Sequence, residues 1–75
     1  MLVRHLVVGA WYKSRKIEQP LCYSSHEFYS DDVVYFYFHT DKGHKFIFST
    51  IIPPWANEVA EIQVEPLTSL ELELI

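Results

Sequence analysis

The chain has 75 residues, of which 49% are hydrophobic and 21% are charged, and its formal net charge is −4. The hydrophobic fraction excludes an intrinsically disordered chain, and the single cysteine excludes a domain held by internal disulfides. The excess of acidic residues is a poor electrostatic basis for binding polyanions. We expect one small β-rich domain, residues 1–75, that buries only about 60% of its unfolded surface.

The first predicted strand covers residues 2–12, where apolar side chains occupy both alternating positions, as in a strand buried on both faces. Arg4 and His5 interrupt this apolar run, which is too short to span a membrane. Basic residues follow the run, which is not the order of a signal peptide. We therefore expect no targeting segment, no membrane association and a cytoplasmic protein.

The polar residues 13–16 predict a turn, and Pro20 opens a second apolar run that predicts a strand over residues 21–29. Ser30-Asp31-Asp32 predicts another turn, because short polar side chains there compete for backbone hydrogen bonds.

The most regular pattern is VVYFYFHTDKGHKFIFSTII, residues 33–52. A three-residue loop at 41–43, with Gly43 in the left-handed conformation, predicts a hairpin with a glycine bulge. In that register Phe38 faces Phe46, and directly paired residues share one face of the sheet. The phenylalanines therefore form the core face, and the opposite face carries Tyr35, Tyr37, His39, Lys45, Ile47, Ser49 and Ile51.

Pro53-Pro54 ends the hairpin because proline donates no hydrogen bond to a strand ladder. Alternating apolar residues predict a strand over residues 59–65, although Trp55, Val59 and Ile62 also have helical spacing. Residues 54–63 could therefore be a short helix.

Leucines alternate with glutamates over residues 70–74, which predicts a half-buried strand. Thr68 and Glu71 have the spacing of a helix capping box, so a helix is the alternative here. Together these elements predict an all-β fold with five or six antiparallel strands in a small, partly open barrel or sandwich of SH3-like or OB-like architecture. The alternative is an α+β fold with the helix at 54–63.

Charge is polarised along the chain. Residues 1–17 contain basic residues and no acid, and residues 58–75 contain acidic residues and no base. The basic residues are Arg4, Lys13, Arg15 and Lys16, and the acidic ones are Glu58, Glu61, Glu65, Glu71 and Glu73. We expect the two ends of the chain to be neighbours with complementary charges. The alternatives are a basic face for a polyanion and head-to-tail assembly of chains. A separate possibility for the glutamates is an acidic surface that mimics nucleic acid and occupies another protein's basic site.

Cys22, His26, His39 and His44 have a spacing close to that of a zinc-finger ligand set. The intervening residues form a predicted strand, and the predicted hairpin register points His39 and His44 to opposite faces. We therefore expect no metal site and no cofactor.

The aromatic surplus outside the core face favours a non-catalytic protein-interaction domain that self-associates, as a homo-oligomer, or binds a larger protein. A small inhibitor or accessory subunit of the phage or mobile-element type fits this class. The candidate partner-binding residues are Trp11, Tyr12, Tyr35, Tyr37, His39, Lys45, Ile47 and Trp55. The alternative is single-stranded nucleic acid stacking on the tyrosine-bearing face. No pattern activates a nucleophile, so we expect no enzyme activity.

Overall fold

A computed structural model describes residues 1–52 and 58–74. The elements are a 3₁₀ turn Val3–His5, strands β1 Trp11–Ser14, β2 Ile17–Phe28, β3 Val33–His39, β4 Lys45–Ile51 and β5 Glu65–Pro66, and helix α1 Ser69–Leu72. The strands form one open antiparallel sheet in the order β4-β3-β2-β1-β5. The predicted all-β fold with five or six antiparallel strands is confirmed, with five strands in one open sheet.

The β3–β4 hairpin has the predicted register. Phe38 pairs with Phe46 and Tyr37 with Ile47, and these belong to seven consecutive pairs without a shift. Gly43 has φ 85°, a left-handed conformation that glycine adopts without steric penalty. The Thr40 N–H donates to the His44 carbonyl at 2.9 Å, which closes the three-residue loop.

Strand β2 contains the predicted strand 21–29 almost entirely and extends it toward the N-terminus, to Ile17. Its register against β3 shifts between Tyr23 and Ser25, which is a β-bulge. Residues 30–32 form the predicted turn, with the Tyr29 N–H donating to the Val33 carbonyl at 2.9 Å.

The large buried side chains of the strands lie on one face of the sheet, which we call the core face. Tyr23, Phe36 and Phe38 are each at most 5% exposed there. Two non-strand segments, residues 1–6 and 60–64, pack over this face. They also bond to each other, since the Val3 N–H donates to the Ala60 carbonyl and the Ile62 N–H to the Met1 carbonyl, each at 2.9 Å. The core is therefore one sheet face under a cover built from distant parts of the chain.

The predicted strand over residues 2–12 is wrong. Residues 3–5 form a 3₁₀ turn, Gly9 breaks the segment with φ 85°, and only Trp11 and Tyr12 belong to β1. A strand buried on both faces therefore does not explain the apolar residues at both alternating positions of this segment. Part of them covers the core face, whereas Val7 and Val8 are 60% and 67% exposed.

The strand predicted over residues 59–65 is also wrong, except at its end, where Glu65 begins β5. Residues 58–59 form a turn, and Glu61 makes one isolated bridge to Leu2. Residues 58–63 contain no helix, and Pro53-Pro54, Trp55 and the rest of the alternative helix 54–63 lie outside the described residues.

The predicted strand over 70–74 is wrong because the capping box forms instead. The Glu71 N–H donates to Thr68 Oγ1 at 3.2 Å, and the Thr68 N–H donates to Glu71 Oε1 at 3.0 Å. These two bonds satisfy backbone N–H groups at the start of α1. In a strand, the same groups would need partners on a neighbouring strand. Across residues 1–52 and 58–74, no helix has the length and apolar character needed to cross a bilayer.

We expect Phe38→Ala to lower the free energy of unfolding by about 3–5 kcal/mol, because it leaves a cavity in the core. The Phe38 side chain is 1% exposed, and its ring contacts those of Tyr12, Tyr23 and Phe48. A domain of this size has a total stability of about 4–11 kcal/mol. Urea unfolding followed by circular dichroism measures the loss.

The matched control is Phe28→Ala, because Phe28 is 66% exposed. It should change stability by about 0.5 kcal/mol or less. Equal losses for the two variants would show that the core does not lie where the structure puts it.

Candidate functional site on the outer face of the sheet

We call the side of the sheet opposite the core face the outer face. Residues 1–6 and 60–64 cover the core face and do not cover the outer face. The strand register assigns to it Trp11, Cys22, Ser25, Glu27, Val33, Tyr35, Tyr37, His39, Lys45, Ile47, Ser49 and Ile51. Ile47 and Ile51 are 58% and 66% exposed. The hairpin thus presents large side chains in two directions, and only one direction is filled by the core.

Trp11, Cys22 and His39 lie side by side across β1, β2 and β3. The Trp11 and His39 rings meet edge to face with their centroids 6.3 Å apart, although a whole strand lies between them. The small Cys22 side chain leaves room for this contact, and the thiol is buried beneath it. Burial raises the pKa of Cys22, which disfavours the reactive thiolate form.

The tyrosines of β3 are held by partners from β2 and the following turn. Tyr37 Oη donates to Glu27 Oε2 at 3.0 Å, and this hydrogen bond raises the pKa of Tyr37. The Tyr35 ring stacks on Tyr29 with centroids 4.9 Å apart and planes 26° apart. Both rings are therefore fixed in orientation before any partner binds, which reduces the entropy lost on binding.

A depression of about 520 Å³ lies beside these rings. Its lining includes Ser25, Tyr37, His39 and Lys45 from the outer face, and also Ser24 at the β-bulge. Ser24 Oγ lies 3.3 Å from His39 Nδ1, within hydrogen-bonding distance. The depression offers hydroxyl, imidazole and ammonium groups next to the Tyr37 ring, and aromatic side chains are among the residue types enriched at protein interfaces.

The structure brings together six of the predicted partner-binding residues on the outer face: Trp11, Tyr35, Tyr37, His39, Lys45 and Ile47. The placement of Tyr12 among them is wrong. Its side chain is 3% exposed in the core, and its phenol oxygen accepts a hydrogen bond from the Val7 N–H at 2.8 Å. Trp55 lies outside the described residues.

Sequence reasoning missed Cys22, Glu27 and Tyr29 as neighbours of this surface. Their positions depend on the register of β2 against β3, and the bulge between Tyr23 and Ser25 shifts that register by one residue. No turn glycine marks the β2–β3 connection, so the sequence holds no signal for the offset.

The four residues with zinc-finger spacing are divided between separate places. Cys22 and His39 lie on the outer face, whereas His26 pairs with Phe36 on the core face. The backbone of His44 bonds to Thr40 at the hairpin loop. Among residues 1–52 and 58–74, no three His, Cys, Asp or Glu side chains are placed to share a metal ion.

The two ends of the chain are neighbours, as predicted from their charges. Strand β1 pairs with β5, and Lys13 Nζ lies 3.0 Å from Glu71 Oε1 in a salt bridge to α1. The other predicted acidic residues are spread over several elements. Glu58 lies in a turn, Glu61 in a bridge, Glu65 in β5 and Glu73 at the end of α1.

Comparison with models of known protein families, with curated proteins and with solved structures gives no significant match to this chain. Its function is therefore inferred from the geometry of the outer face.

The stability of the C-terminal helix should depend on pH through Glu71. Hydrogen bonds from the Thr68 N–H and the Lys13 ammonium lower the pKa of Glu71 from 4.5 to about 2. Because the folded-state pKa lies below the unfolded value, the stabilisation is complete above pH 4.5 and is lost as the pH falls toward 2. Glu71→Gln preserves the capping geometry and carries no charge to titrate.

We expect wild type to exceed Glu71→Gln in thermal stability at neutral pH, and this difference to shrink as the pH falls from 4.5 to about 2. Glu73→Gln is the control, because it removes the same charge outside the Lys13 contact. A difference between wild type and Glu71→Gln that stays constant down to pH 2 would contradict the contact.

Proposed function

We propose that this chain is a non-catalytic protein-interaction domain whose outer face binds the surface of another protein. The observation that carries the proposal is the asymmetry of the sheet: residues 1–6 and 60–64 cover the core face, whereas the outer face presents Trp11, Tyr35 and Tyr37. Tryptophan and tyrosine are the residue types enriched at the energetic centres of protein interfaces. Exposed Ile47 and Ile51 extend the apolar surface along β4.

The electrostatics of this face favour a protein over a nucleic acid. The Glu27 carboxylate is bonded to Tyr37 near the middle of the aromatic row, where it would repel a phosphate backbone. Lys13, the basic residue nearest to Trp11 in β1, is already paired with Glu71. Lys45 is the remaining cation on the face, and one ammonium is little support for a polyanion.

The arrangement of acids and bases supports a binding function rather than catalysis. His26 and Glu27 are adjacent in the sequence, but their side chains point to opposite faces of β2, so they do not form an acid–base pair. His26 Nδ1 lies 3.0 Å from the phenol oxygen of Tyr23, and His39 Nδ1 lies near Ser24. Within a binding function, the small acidic chain fits an inhibitor or accessory subunit of a larger protein.

The nucleic-acid-mimic variant has less support. Glu71 is engaged by Lys13 and by its own capping box, so its charge is neutralised where a mimic would have to present it. The protein-binding outer face therefore remains the better supported surface.

Tyr37→Lys tests the proposal, because it places a charge at the centre of the outer face while giving Glu27 a cationic neighbour. A photo-crosslinking amino acid at Tyr35 first captures the partner in the native host, and the partner is then purified. Calorimetry should show binding weakened by about tenfold or more in Tyr37→Lys.

Val8→Glu is the matched control, because Val8 is 67% exposed and lies outside the outer face. It should bind the partner like wild type. Equal affinity of Tyr37→Lys and wild type would overturn the proposal. Binding of a single-stranded oligonucleotide by wild type that weakens in Tyr35→Ala would instead support the nucleic-acid alternative, since that substitution removes a stacking ring.

A further inference from the structure

The two edges of the sheet differ in their protection against pairing with another strand. Strand β5 has two residues, ends at Pro66 and is followed closely by α1. Short edge strands and edge prolines are features that prevent edge-to-edge association. Strand β4 has seven residues, no proline, no bulge against β3 and a single charged residue, Lys45. Within residues 1–52 and 58–74, no strand pairs with its free edge.

The hydrogen bonds of the hairpin determine which groups of β4 point toward that edge. The His44 carbonyl accepts from the Thr40 N–H, and the Ile52 N–H donates to the Asp32 carbonyl, so the even-numbered residues bond to β3. Backbone groups alternate in direction along an antiparallel strand. The odd-numbered residues Lys45, Ile47, Ser49 and Ile51 therefore direct their N–H and C=O groups away from β3.

We infer that a second copy of this chain pairs with β4 along this edge, antiparallel and with a two-fold axis at Phe48. Ile47 would then face Ser49 of the second copy, and Lys45 would face Ile51 of the second copy. This register pairs all seven residues of β4 and uses every outward N–H and C=O group, giving about eight hydrogen bonds. A shift by one residue would oppose outward groups to inward ones and exchange the two faces.

Side chains and charges agree with this arrangement. Phe46 and Phe48 lie at the edge of the core and are only half-buried, so the same side chains from a second copy would complete their burial. The two-fold axis also brings the loop end of one hairpin, where Lys42 and Lys45 outnumber Asp41, toward the opposite end of the other copy's hairpin. That end carries Asp31 and Asp32, so the apposed ends have opposite charge.

The resulting dimer would have a continuous ten-stranded sheet, with the two outer faces side by side. This inference concerns the edge of the sheet and does not depend on a protein partner for the outer face. If the edge pairing and the proposed outer-face function both hold, the dimer presents two adjacent copies of the binding surface. This raises the avidity for a partner with repeated sites.

Ser49→Pro tests the edge pairing, because it removes an outward N–H that is not bonded to β3, and proline is tolerated at such edge positions. Light scattering coupled to size exclusion should show a mass that doubles with concentration for wild type and stays monomeric for Ser49→Pro. Ser49→Ala, the matched control, keeps the N–H and should dimerise like wild type. A wild-type chain that remains monomeric at high concentration, or a folded Ser49→Pro that still dimerises, would overturn the inference.

Directed disulfide formation tests the register and does not require Ser49→Pro to fold. Ile47→Cys and Ser49→Cys chains are mixed in a Cys22→Ala background and oxidised. The proposed register places these two positions opposite each other, about 5.5 Å apart at Cα, within the range of a disulfide. Mixed disulfides should predominate in mass spectrometry. A majority of like-with-like disulfides would exclude the proposed axis.

The experiments on the β4 edge and on the outer face can contradict one proposal without contradicting the other. Tyr37→Lys lies on β3, an interior strand of the sheet, and should dimerise normally even where it loses the partner. Ser49→Pro should become monomeric while a single copy of its outer face retains Tyr35 and Tyr37. Loss of dimerisation in Tyr37→Lys would place the self-contact on the outer face and would overturn the edge assignment.

Discussion

The pairing of β3 with β4 is the constraint on which the rest of the structure depends. Its register places Phe36, Phe38, Phe46 and Phe48 on one side of the sheet, and the phenols and the His39 imidazole on the other. A displacement by one residue would mix the two sets and leave neither a core nor an aromatic surface. Gly43 fixes that register locally, because the loop needs a residue that adopts positive φ at low cost. The cover on one side and the candidate interface on the other both follow from this alignment.

Local signals made the hairpin predictable, whereas the surrounding elements depend on contacts between distant residues. Apolar residues on both alternating positions of segment 2–12 indicated burial correctly for part of the segment only, since Val7 and Val8 are exposed. They did not indicate its form, since a cover segment and a doubly buried strand have the same composition. At 70–74 two local patterns competed, and the capping box prevailed because its hydrogen bonds need no neighbouring strand. The candidate site was likewise predictable only where local signals determine the structure. Residues of β3 and β4 were predicted to share a face, but the bulge in β2 hid Cys22 and Glu27.

The arrangement of the outer face depends on one small side chain, Cys22, as much as on its rings. Cys22 separates Trp11 from His39 by one strand, and its small volume lets the two rings close over it. A larger residue at this position would hold the rings apart and divide the aromatic surface in two. The buried thiol is thus explained by packing, and its raised pKa is a consequence of that burial.

The cover over the core face has a consequence for synthesis of the chain. Met1 and Ile62 bond to each other although 61 positions separate them, so the core stays unsealed until residue 62 has left the ribosome. The aromatic hairpin is complete well before that, with both of its faces open to solvent. Nascent chains therefore pass through a stage in which phenylalanines destined for the interior are available to chaperones or to neighbouring chains.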